Sequence, residues 1–223
     1  DLHSFPTRRS SDLTNGARRR GVPVVHRLNG MNWLHRVHSA GLRYGIKADL
    51  ANLRIAWTRR FLASAIVYQS RFCAENWNAA YGPVAKPETI IYNGVDTDRF
   101  APARAAKDWR RDDPVRVLIA EGNLQHGSEI LLGSALSSCA ALHQKYGAPV
   151  ELTIAGNVPE AVRVRSEAEA ARHGARLTLD WKGVIPKDEL IALEREATFF
   201  LSVEPEPACP NAVIEAQIGR AHV

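Results

Sequence analysis

The chain has 223 residues, 45% hydrophobic and 24% charged, with 29 lysines and arginines against 24 aspartates and glutamates for a net charge of +5. That composition excludes a disordered chain, and no run of about eighteen apolar residues is present to form a membrane-spanning helix. The mild positive balance suits an acidic small ligand such as a nucleoside diphosphate as well as it suits nucleic acid, so charge alone selects no partner.

In chain order, residues 1–13 come first, and they read as adapter-derived rather than biological. The stretch from His3 to Leu13 can be encoded by DNA that resembles a common sequencing adapter, and so can the stretch from Ile218 to Val223. The two ends agree with each other. GCTCTTCCGATCT, which can encode Arg9 to Leu13, is the reverse complement of AGATCGGAAGAGC, which runs from the end of a codon for Gln217 into Ala221. Residues 14–217 are therefore expected to be an interior fragment, with 1–13 and 218–223 set aside. Without Arg8, Arg9, Arg220, Asp1 and Asp12 the net charge is +4.

From there, short β-branched runs alternate with stretches of helical period, the pattern of parallel sheets wrapped by helices. Strands are predicted over 22–28, 65–69 and 89–92, with helices over 48–64 and 71–81. Apolar periodicity lapses after Gly94, and the domain boundary is placed near Phe100, giving a first domain over 14–100 and a linker over 101–114. The second domain, 115–217, is predicted to hold strands over 115–120, 150–155, 177–181 and 199–203. Its helices are predicted over 128–146, 159–173 and 187–196, with a last one starting near Pro210. Pro159 and Pro210 suit first-turn positions. The fold class is α/β with two Rossmann-like domains, both incomplete. Cys73, Cys139 and Cys209 have neither pairing nor metal-ligand spacing, which reads as reduced thiols of the cytoplasm.

In an open parallel sheet ligands bind beyond the carboxyl ends of the strands, so the loops there are the places to search. Residues 121–127, Glu-Gly-Asn-Leu-Gln-His-Gly, would let backbone approach a phosphate at a helix N-terminus. Residues 156–159 and 182–186 are plainer turns. The loop 204–215 packs Glu204, Glu206 and Glu215 around a helix begun by Pro210. Its amides near Asn211 and Ala212 could meet a diphosphate, and Glu215, one turn inside, could accept from both hydroxyls of a ribose. From residue types alone Glu215 reads first as an ordinary helix acid in a solvated capping region.

The order of these segments narrows the choice. Ile90-Ile-Tyr-Asn-Gly-Val-Asp-Thr-Asp-Arg-Phe100 comes first, followed by a strand and glycine loop. Next come Leu152-Thr-Ile-Ala-Gly156, Gly183-Val-Ile-Pro-Lys-Asp-Glu-Leu190 and Pro210-Asn-Ala-Val-Ile-Glu-Ala216. Together they resemble the family 4 retaining glycosyltransferases over residues 22–216. The resemblance implies the GT-B architecture of two facing Rossmann-like domains. It also implies transfer of a sugar from a nucleotide-sugar donor to a saccharide or lipid-linked acceptor with retained configuration, no cofactor and no obligatory metal. Glu215 matches the second glutamate of the family's paired motif, which holds the donor ribose. Pro207 stands where the first is due, with Glu206 beside it as the substitute. Gly122 matches the phosphate-loop glycine, and Asn123 and His126 are nearest to that loop's usual arginine and lysine. Gly183 and Val184 match the loop flanking the base.

On the acceptor side, Arg27, Asn29 and Gly30 are expected to line the cleft, while His26, inside a strand, reads as a hydrogen-bonded core residue. No catalytic residue is assigned. The parent protein is expected to act in cell-surface polysaccharide biosynthesis in the cytoplasm, with peripheral association at the inner face of the membrane as the alternative location. The fragment itself is expected to be inactive. Competing readings are a nucleotide-sugar epimerase or phosphorylase of the same architecture, or a non-catalytic carbohydrate- or partner-binding descendant. Nucleic acid ranks last, because the arginines form no stripe with interleaved aromatics.

Overall fold

A computed structural model describes residues 8–33, 36, 41–102, 113–124, 129–173, 176–203 and 210–219. These fall into two compact units that part between Asn93 and Gly94. The expected boundary at Phe100 lies inside the second unit. Phe100 is buried there, and the Arg195 guanidinium donates to the carbonyls of Arg99 and Ala101, tying the stretch to a helix of that unit.

The first unit opens with helix α1 (Arg8–Arg19), followed by strand β1 (Val25–Leu28) and helix α2 (Leu42–Trp57). A π-helical turn (Thr58–Leu62), β2 (Ala65–Tyr68), α3 (Arg71–Tyr81) and β3 (Glu88–Ile90) complete it. The strands form a parallel sheet in the order β1-β2-β3. β1 begins three residues later than expected because Pro23 offers no N–H to the ladder. α2 begins six residues earlier, after Gly41 at φ 87, where Gly45 had obscured the helical period. The π turn adds a residue to the winding and turns Arg59 inward, where it is buried with Tyr68. Leu28, Ile66, Tyr68, Cys73 and Trp77 form this unit's core.

The second unit runs β4 (Val115–Asn123), α4 (Glu129–Tyr146), β5 (Val150–Asn157), α5 (Glu160–Arg172) and β6 (Leu177–Gly183). It closes with α6 (Lys187–Glu196), β7 (Phe199–Phe200) and α7 (Asn211–Ile218). Its sheet is parallel in the order β6-β5-β4-β7. Both faces are buried along the middle of β4, which is why it is apolar without a break from Val117 to Ala120. Val117 and Ile119 face a core with Leu132, Leu136 and Cys139 of α4, while Leu118 and Ala120 face Phe200 and Ala216.

Candidate functional site

The carboxyl ends of β4, β5 and β6 bring several expected site residues to one edge of the second sheet. β4 does not stop at Ala120 to release a glycine loop. It continues through Gly122 and Asn123, with a register shift against β5 between Ala120 and Asn123. Gly122 is thus strand backbone, and Asn123 accepts a hydrogen bond from Asn157 Nδ2 at 3.1 Å. The glycine that geometry demands is Gly156. At φ 142, a Cβ there would lie 1.7 Å from the Glu121 carbonyl oxygen, so the two strands close on each other only because this side chain is missing. Gly183 ends β6 at φ 66, and Val184 beyond it is 80% exposed. His126 and Glu206 lie outside the described residues.

Helix α7 begins at Asn211 after Pro210, with no side-chain cap from Pro210 and no acid in its first turn, so among the described residues no side chain of the helix start takes up its leading amides. Glu215 lies one turn in. It is 7% exposed, and one of its carboxylate oxygens is held by Lys187 Nζ at 2.5 Å. The carboxylate expected to be open to ligand is therefore already engaged by a lysine.

Lys187 is the site residue that sequence reasoning passed over. It opens α6 just after Pro186, and a cation at a helix N-terminus opposes the macrodipole, which was the available signal. Its ammonium also lies over the Phe100 ring, 5.0 Å from the centroid. Glu194, seven residues on along the same helix, was missed too. It is 1% exposed, and neither oxygen has a hydrogen-bond partner among the described residues. Burial and then the Glu215 charge push its carboxyl up to about 7, with Lys187 opposing. Arg99 is bound to Asp188 at 2.6 Å, and that hydrogen bond raises its guanidinium pKa, with a smaller contribution from Glu215. Lys187 and Arg99 are thus two cations in the neighbourhood of Glu215.

In the first unit, Arg27 and Asn29 meet at the carboxyl end of β1, where Arg27 Nη1 donates to Asn29 Oδ1 at 3.4 Å. Arg27 Nη2 donates to Asn93 Oδ1, which adds the asparagine of the Asn-Gly-Val-Asp motif to the group. Trp77 Nε1 donates to the Asn29 carbonyl at 2.9 Å, fixing the turn before Gly30. His26 is within β1 as expected, yet its buried Nδ1 has no hydrogen-bond partner among the described residues. Desolvation, and then the Arg59 charge, lowers its pKa to about 4. Among the described residues no group of three or more His, Cys, Asp or Glu is placed to hold a metal ion. No helix among them is long and apolar enough to cross a membrane.

The model of Glycosyltransferase Family 4 matches residues 6–99. No curated protein matches the chain in sequence. Among solved structures, sucrose-phosphate synthase from Thermosynechococcus elongatus is similar with a TM-score of 0.62 at 17% identity, over 90% of this chain and 50% of that one. The UDP-forming α,α-trehalose-phosphate synthase from Burkholderia xenovorans has a TM-score of 0.60 at 14% identity, over 94% of this chain and 54% of that one. A TarM variant of S. aureus, in complex with fondaparinux, α-GlcNAc-glycerol and UDP, has a TM-score of 0.56 at 13% identity, over 76% and 31%. The chain therefore spans about half the length of the first two. The match over residues 6–99 makes that stretch similar to Glycosyltransferase Family 4, and the two parallel α/β units share the GT-B fold of these structures.

Proposed function

We propose that the parent protein transfers a sugar from a nucleotide-sugar donor to a saccharide or lipid-linked acceptor, with retained configuration, and that the second unit holds the donor. The observation that carries this reading is the start of α7. Uncapped amides at Asn211 and Ala212 stand one turn before Glu215, on a helix packed against the parallel sheet. Such amides suit a diphosphate, and a carboxylate one turn on suits ribose hydroxyls. Gly122, Asn123, Gly183 and Val184 at neighbouring strand ends are the proposed flank for phosphate and base. Lys187, beside Glu215, is a further cation for the charge that develops on the leaving diphosphate. Arg27, Asn29 and Gly30 are the proposed acceptor-side residues.

The nucleotide-sugar is a substrate, so no cofactor is invoked. One similar structure is a UDP-forming synthase and another is a complex with UDP, which supports a nucleoside diphosphate as the first ligand to try. The proposed setting is cell-surface polysaccharide biosynthesis on the cytoplasmic side of a membrane. Calorimetric titration of a full-length version with UDP and GDP tests the reading: binding that Glu215→Ala weakens supports it, and equal affinity in the variant removes it.

A further inference from the structure

Helix α2 leaves uncovered a face with the chemistry of a bilayer surface. At about 100° per residue, Leu42, Ile46, Leu50, Leu53 and Trp57 fall within an arc of about 80°. That arc lies away from the buried Ala48, Ala51, Asn52 and Ala56. The five are exposed, from 48% at Trp57 to 82% at Leu42, and Phe61 of the π turn prolongs the row. A single exposed leucine means nothing, but a contiguous row of this length marks an interaction surface. Arg43, Lys47 and Arg54, all exposed, occupy the next arc of about 40° alongside it. Asp49, the one acid on α2, is paired with Arg36 at 2.8 Å. At the Trp57 end, Arg18 and Arg19 line an open recess with Trp57, Phe61 and Leu62.

We propose that this face of α2 docks the protein on an anionic bilayer, with the helix axis in the interface plane. The aliphatic row lies among the acyl chains and the basic row against the headgroups. Charge along the chain agrees with this occupant. Residues 1–93 hold 14 basic and 5 acidic residues, net +9, whereas 94–223 hold 15 and 19, net −4. The positive charge that an anionic leaflet attracts is thus concentrated in the unit that carries the stripe. A second copy of the chain would bring like charges together along the same seam. A nucleic acid would gain nothing from four exposed aliphatic side chains. The inference rests on the first unit alone and is independent of the donor reading.

The test is flotation of the chain, and of a full-length version, with phosphatidylcholine vesicles prepared with and without phosphatidylglycerol. Both proteins are expected to float with the anionic vesicles and to be released by high salt. Arg43→Gln/Lys47→Gln/Arg54→Gln is expected to weaken partitioning by about five-fold per cation. Ile46→Ser/Leu50→Ser/Leu53→Ser is expected to weaken it by at least about ten-fold. Thermal unfolding reports whether each variant is folded, and Leu50→Ser alone decides if the triple variant is not. Absent flotation, flotation equal to wild type in either folded variant, or flotation of the chain but not of the full-length version would overturn the proposal. So would a dimer in sedimentation that the serine variant dissolves while vesicle binding is absent.

Discussion

Lys187 Nζ sits 2.5 Å from Glu215 Oε2 and joins the first turn of α6 to the second turn of α7. The pair is part-buried, so its two members have unequal environments: the lysine side chain is 39% exposed and the glutamate 10%. Removing the cation leaves Glu215 buried with no ammonium against it, beside Glu194, whose oxygens have no hydrogen-bond partner among the described residues. Lys187→Met is therefore expected to cost about 1–3 kcal/mol of stability, the usual penalty for stranding one member of a buried polar pair. Glu215→Gln should cost less, because the amide still offers an oxygen to the lysine. Urea unfolding of the three proteins at neutral pH measures both differences.

Glu194 makes stability depend on pH. Its carboxyl is raised from 4.5 to about 7, chiefly by burial and then by the Glu215 charge, with Lys187 opposing. In the unfolded chain the group loses its proton near 4.5, while in the folded chain it keeps it to about 7. The folded state thus binds more protons between these values. The stability contributed is fully present below 4.5 and is lost as pH rises through about 7. Glu194→Gln, which is neutral throughout, should match the wild type near pH 4.5 and exceed it at pH 8, by up to about 3 kcal/mol. Melting curves across that range check the crossing, and parallel curves would show that Glu194 does not carry it.

The parallel α/β class was legible because both sheets announce themselves as short apolar runs between helical periods, and α3 and α6 coincide with their predicted spans. What was not legible depended on neighbours distant in sequence. β4 outruns Ala120 because Asn157 is there to pair with Asn123, a partner 34 residues away. Gly156 looked like an ordinary turn glycine until the Glu121 carbonyl was placed against it. The residues expected on the donor side were picked out by motif, whereas Lys187 and Glu194 belong to no motif. Their importance comes from helix packing, which puts them against Glu215.

Arg59 is a fully buried cation, unlike the half-exposed Lys187, and it acts on His26. It is 1% exposed and donates through Nε to the Tyr68 hydroxyl at 2.9 Å, through Nη1 to the Gly82 carbonyl at 2.9 Å and through Nη2 to Asn78. The Tyr68 hydroxyl in turn donates to Glu88 Oε2 at 3.1 Å, so the charge is met through a chain of hydrogen bonds. Arg59→Met should destabilise the first unit by about 2–4 kcal/mol, since several buried acceptors lose their donor together. It should also raise the His26 pKa from about 4, though not to 6.5, because burial rather than Arg59 is the larger cause. An NMR titration of the imidazole separates the two contributions: no change in the variant would assign the whole depression to desolvation.

Gly156 offers the sharpest test of the second unit. Its φ of 142 lies where side-chain-bearing residues are strained, and an added Cβ would fall 1.7 Å from Glu121 O and 2.9 Å from the Glu121 carbonyl carbon. Backbone atoms cannot yield as a flexible side chain can, so β4 and β5 would have to separate at the edge where Asn123 and Asn157 meet. Gly156→Ala is expected to lose at least about 3 kcal/mol, combining backbone strain with a broken strand pair. Gly122→Ala makes the control. The same strand passes through Gly122, yet a Cβ there meets nothing within 4 Å. Its change should stay within about 1 kcal/mol, the range of substitutions that create neither clash nor cavity. Chemical denaturation of both variants decides: similar losses at the two positions would show that glycine content, not the contact with Glu121, matters at this edge.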